Sequence, residues 1–145
     1  MEIILGFTIV GILAAVTTVS FLSVVEASQL TNAADRLVAD LRLVRRQAIR
    51  DRSARTLQIN VAGRSYQADG VPDQAGNDSL SMELTGSPAL VSSIELFLEG
   101  VAPDAVTFGP RGKALSYGDI VLNHGSRSAI VSIAAGGRIE SHETN

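Results

Sequence analysis

The sequence predicts an α+β protein in which one long N-terminal helix, apolar in its first half and amphipathic in its second, packs on a small antiparallel β-sheet or sandwich. Three observations predict it. Residues 3–25 contain no charged side chain and stand between Glu2 and Glu26. The next segment places Leu30, Ala33, Leu37, Leu41, Val44 and Ala48 at steps of three or four, the period of one helix face. Beyond residue 55 the pattern changes to short apolar runs separated by polar turns, the mark of strands.

Each element follows from its own residues. At about 1.5 Å per residue, 23 helical positions from Ile3 to Val25 extend roughly 34 Å, enough for a hydrocarbon core of about 30 Å. Residues 1–26 are therefore expected to be a transmembrane half-helix. No Pro or Gly occurs from Ile12 to Ala62, so nothing forces a break before the amphipathic half-helix, 27–50. A β domain is expected over 55–145. In it Leu57, Ile59 and Val61 alternate with Thr56, Gln58 and Asn60, and Ala62-Gly63-Arg64 turns the chain into Ser65–Ala68, a hairpin. Asp69–Ser87 is rich in Gly, Asp, Asn, Ser and Pro and reads as an exposed loop. Apolar runs follow at Ile94–Leu98, Ala105–Phe108, Ile120–Leu122, Ala129–Ile133 and Arg138–Ile139, with turns at Gly100, Gly109–Gly112, His124–Ser126 and Gly136-Gly137.

Composition narrows the function. About 120 residues beyond the apolar segment suffice for one small domain. Cysteine is absent, which removes disulfides, thiolate metal sites and Cys nucleophiles together. Charge is segregated: residues 35–68 hold eight arginines against three aspartates, whereas residues 69–145 hold ten acids against four bases. An acidic distal domain disfavours a general nucleic-acid binder. His124 and His142 are the only histidines, and no nucleophile, zinc or phosphate-cradling motif accompanies them, so no catalytic residue, metal ligand or cofactor is assigned. The Asp69, Asp73, Asn77 and Asp78 side chains offer hard oxygen ligands for calcium, but their spacing matches no EF-hand. Arg42, Arg45, Arg46 and Arg50 cluster on one helix flank, with Arg52, Arg55 and Arg64 as extensions. Asp35, Asp40 and Asp51 interleave with them and no aromatic platform stands near, so a solvated or subunit-contact face is favoured over a nucleic-acid site.

The stretch Glu2-Ile3-Ile4-Leu5 through Gly11-Ile12-Leu13-Ala14-Ala15-Val16, with Ser20-Phe21 after it, resembles the start of type IV pilins and type II secretion pseudopilins. Leu37 to Arg50 is similar to the GspH/FimT helix pattern LxxxLxxARSEAIRR, and Val106–Gly112 with Gly136–Ile139 resembles the end of the same branch. On that resemblance Glu2 is the family glutamate, an assembly latch paired with the N-terminal amine of a neighbouring subunit, since a carboxylate at bilayer depth is tolerated when paired with a cation. Phe7, Leu13 and Phe21 would be helix contacts in the filament. The resemblance also implies a single-pass inner-membrane protein with a periplasmic domain, matured by a prepilin peptidase and assembled with other pseudopilins or pilins.

Three departures accompany it. The basic leader and its processing site do not precede Glu2, so the chain is expected to begin just inside the mature protein, with Gly6-Phe7-Thr8 as a competing site. Val19 replaces a common proline. In Gly137-Arg138-Ile139-Glu140 an acid stands where the DNA-uptake branch has the second arginine of G-R-x-R, which makes DNA an unfavoured partner. A secretory signal ending near Ala27 is the competing account of the apolar segment. The expected function is a minor pseudopilin of type II secretion at the pseudopilus tip, with a FimT-like minor pilin acting in pilus assembly or DNA uptake as the alternative.

Overall fold

The computed structural model describes residues 28–73, 76–86 and 89–144. The apolar half of the expected helix, with Glu2, Phe7, Leu13 and Phe21, lies outside them. Among the described residues no helix is long and apolar enough to cross a membrane.

The amphipathic half is helical from residue 28 through residue 51. It buries Leu30, Ala33, Leu37, Leu41, Val44 and Ala48 and adds Ala34 and Val38 to the same stripe. The end is a Schellman cap: Ser53 N–H donates to Ala48 O, Arg52 N–H donates to Ile49 O, and Arg52 takes the left-handed position at φ 51°. A glycine is usual there.

Ten strands follow. The first sheet is built from β1 (Arg55–Asn60), β2 (Ser65–Asp69), β3 (Ser79–Glu83) and β7 (Ala105–Phe108), in the order β3-β2-β1-β7. The second contains β6 (Ser93–Gly100), β8 (Ser116–His124), β9 (Arg127–Ile133) and β10 (Ile139–Thr144), in the order β10-β9-β8-β6. All their pairings are antiparallel. A minimal hairpin of β4 (Thr85–Gly86) and β5 (Ala89–Leu90) carries the chain between the sheets.

The predicted hairpin at residues 57–68 is present, with Ile59 opposite Tyr66. The β8–β9 connection is a two-residue Gly125-Ser126 turn with Gly125 at φ 61°, the II′ geometry that matches strand twist. One apolar core joins the helix stripe to the inner residues of both sheets, among them Leu57, Tyr66, Leu80, Phe108, Ile120, Leu122, Val131 and Ile139.

One segment departs from the sequence reading. Asp69–Ser87 is not an exposed loop throughout, because it supplies β3 and β4 and buries Val71, Leu80 and Leu84. Leu80, Met82 and Leu84 alternate with Ser79, Ser81 and Glu83, a period-two signal obscured by polar, turn-forming neighbours.

The helix runs antiparallel to β10 and is tied to it at two points, while residues 141–144 of that strand stay exposed. Thr31 Oγ1 donates to the Glu143 carboxylate near one end, and the Arg42 guanidinium donates to Ile139 O at 3.1 Å further along. β6 forms the sheet's other edge, paired only with β8 among the described residues.

Candidate subunit-contact site

The arginine flank is the sequence-predicted site that the described residues contain, and the structure divides it by role. Arg42 and Arg45 are ties within the domain: Arg42 binds Ile139 O, and Arg45 Nε donates to Gly112 O at 2.9 Å. Arg46 and Arg50 face solvent, Arg50 Nε standing 3.7 Å from Asp51. Arg138 comes from the β9–β10 turn to the same surface, its side chain 76% exposed and 3.4 Å from Glu140. Arg42, Arg45, Arg46 and Arg138 form the charged walls of a shallow groove of about 340 Å³, lined also by Ile49, Gly137 and Ile139, with Arg50 outside it. Such a groove suits an acidic surface. The acid at Glu140 offsets the guanidinium nearest it.

Arg55 and Arg64 do not extend the flank. Arg55 donates to Asp51 at 2.7 Å, and Arg64 Nη1 reaches Val91 O at 3.4 Å. The bond from Arg55, helped by one from Gln47 at 2.9 Å, holds the Asp51 carboxyl below its ordinary range.

The groove floor explains why the motif fragments carry the residues they do. The turns at 109–113 and 134–138 have the same form. Gly109 N–H donates to Lys113 O and Gly112 N–H to Gly109 O, while Ala134 N–H donates to Arg138 O and Gly137 N–H to Ala134 O. In each the fourth residue is a glycine in the left-handed region, Gly112 at φ 75° and Gly137 at φ 86°. The turns are stacked so closely that a Cβ on Gly137 would lie 2.1 Å from Gly112 O. Arg45 seals the contact from the helix side. Helix motif, Gly-Pro-Arg-Gly turn and Gly-Gly turn thus meet at one point, and Arg45 is consumed there by structure.

Sequence reasoning missed the buried polar cluster beneath. Asp40, assigned to the polar flank, is 1% exposed. Its Oδ2 accepts the Tyr66 hydroxyl at 2.7 Å and Arg36 Nε at 3.2 Å, which satisfies a carboxylate that burial would otherwise penalise. Burial first, and the adjacent Asp40 carboxylate second, push the Tyr66 phenol far above its ordinary range, so it remains a donor. The signal was available: Asp40 falls three residues after Leu37 and four before Val44, on the apolar stripe itself.

The remaining candidates are local. Asp73 accepts both the backbone and side-chain N–H of Asn77 at 2.8 Å, closing its own turn. Among the described residues no three His, Asp or Glu side chains gather as metal ligands. His124 Nδ1 lies 3.0 Å from Ser92 Oγ, and His142 sits on exposed β10.

The sequence matches the family described as Type II transport protein GspH over residues 33–137. No curated protein matches it. Two crystal structures of the type IV minor pilin FimU of Pseudomonas aeruginosa share the fold. One aligns with TM-score 0.57 at 18% identity, covering 81% of this chain and 90% of FimU. The other, from a different crystal form, gives 0.52 at 18% identity, covering 78% and 92%. With a family match spanning most of the domain, and a helix packed on two antiparallel sheets as in a minor pilin, the chain belongs to the pilin-like GspH family.

Proposed function

We propose that the chain is a minor pseudopilin of the type II secretion system, built into the tip of the pseudopilus and supporting protein export across the outer membrane. The observation that carries this reading is the GspH family match from the amphipathic helix to the Gly-Gly turn. The chemistry is non-covalent and no catalytic step is assigned. Residues 3–25 anchor the subunit in the inner membrane and pack against neighbouring helices, and Glu2 pairs with a neighbour's terminal amine. The domain lies in the periplasm, after maturation by the prepilin peptidase. There the exposed Arg46, Arg50 and Arg138 present a basic surface to acidic faces of other subunits.

Replacing Glu2 by Ala in the producing cell tests it. Secretion should fall to the level of a strain lacking the protein while the domain remains folded. Undiminished secretion overturns the latch.

The likeness to FimU favours a second reading, a minor pilin of a type IV pilus. A gel shift on the detergent-solubilised full chain discriminates its DNA-uptake form. Binding at physiological salt with a steep salt dependence supports it, and absence of a shift favours secretion.

A further inference from the structure

The second sheet ends in a strand unlike an ordinary guarded edge. β6 is eight residues long and pairs only with β8 among the described residues, so its outer side presents unpaired backbone N–H and C=O groups. Its inward residues Ile94, Leu96 and Leu98 join or pack against the core, which fixes the register. The outward residues are Glu95, Phe97 and Glu99.

Phe97 is 61% exposed, and Tyr117 stands diagonal to it across the ladder, opposite Glu99. Val101, 73% exposed, is bonded through its N–H to Leu115 O at the end of the same ladder, and Leu115 is exposed as well. Apolar side chains clustered at an open strand edge and rimmed by charge mark a binding surface.

The charges select the occupant. Were two copies of the chain to pair antiparallel through β6 with Phe97 opposite Phe97, Glu95 of each would stand directly opposite Glu99 of the other. Like charges in opposed positions are destabilising, so the register that would stack the two Phe97 rings is disfavoured for a second copy. A strand with basic residues two positions either side of an aliphatic one would place those bases against Glu95 and Glu99 and its apolar residue on Phe97. Edge-guarding acids alone account for disfavouring that register but leave Phe97 and Val101 in water.

We infer that the open edge of β6 is a strand-addition site for a different protein, whose segment follows the pattern basic-x-aliphatic-x-basic and pairs antiparallel with residues 93–100. The identification of that protein as a neighbouring filament subunit rests on the assembly reading above. The site's chemistry does not.

The test uses the full chain in non-ionic detergent and two labelled peptides, Ser-Lys-Thr-Val-Thr-Lys-Ser and its counterpart with Glu in place of both Lys. The lysine peptide should bind at least about tenfold more tightly by anisotropy and slow amide exchange in residues 93–100. N-methylation of alternate peptide amides should abolish that binding. The double variant Glu95→Lys/Glu99→Lys alters two exposed side chains and should reverse the preference. Absence of binding, equal binding of both peptides, survival of binding after N-methylation, or an unreversed preference each overturns the inference. Failure here with intact filament incorporation sinks this inference alone, whereas peptide binding by a chain that never enters filaments sinks the assembly reading alone.

Discussion

Replacing Tyr66 by Phe removes a single oxygen from the interior and leaves the ring in place. Asp40 then keeps Arg36 Nε at 3.2 Å but loses the phenolic donor at 2.7 Å, in a position that water hardly reaches. A hydrogen bond to a charged group is worth about 1.5–3 kcal/mol net. For a domain of this size each kcal/mol lowers the melting midpoint by roughly 3–5 °C, so the variant should melt roughly 5–15 °C lower by calorimetry on the detergent-solubilised protein.

The same substitution carries a pH signature. Because the folded-state phenol holds its proton more tightly than the unfolded one, its contribution is fully present below the ordinary phenol pKa near 10. As pH rises past that value the unfolded chain releases its proton first, and stability falls by up to about 1.4 kcal/mol per pH unit. Tyr66→Phe should abolish that alkaline decline. A midpoint within about 2 °C of wild type, or an alkaline slope that survives the substitution, would refute the reasoning about the Asp40 cluster.

Further substitutions probe the other contacts. Gly137→Ala should cost about 1–3 kcal/mol from the left-handed backbone, plus the overlap with Gly112 O, while Gly136→Ala, with open space around it, should stay within about 0.5 kcal/mol in the same melts. Arg45→Ala should destabilise by about 1.5–3 kcal/mol through the lost tie to Gly112 O, whereas Arg46→Ala should be neutral to folding and affect only contacts outside the subunit. Leu84→Ala empties a fully buried position and should cost about 2–5 kcal/mol in urea unfolding, an effect that an exposed loop residue would not show.

The helix and most strands were legible because their signals are periodic: a step of three or four from Leu30 to Ala48, and alternation from Leu57 to Ile59. Leu80 and Leu84 were hidden because turn chemistry in Gly70–Asp78 dominates the window around them. Asp40 was misplaced because residue type outweighed position; a carboxylate reads as surface until its partners, 4 and 26 residues away in sequence, are known. The arginine flank was recognised as a cluster, but its division could not be read. Whether a guanidinium is consumed by a carbonyl depends on turns 67 and 97 residues distant, at Gly112 and Ile139. Phe97 lies in the apolar run Ile94–Leu98 yet is exposed, which the run does not reveal, since strand parity tells which residues share a face but not which face is covered.

Because the chain contains no cysteine, Leu13→Cys introduces a unique thiol into the apolar segment. Thiol cross-linking in membranes of cells that also carry single cysteines in the helices of the other filament subunits should yield specific heteromeric adducts when Glu2 is intact. The same experiment with Glu2→Ala should yield none. Adducts that form equally without the Glu2 carboxylate, or none with any subunit when it is present, would contradict a subunit latched into a filament by its head.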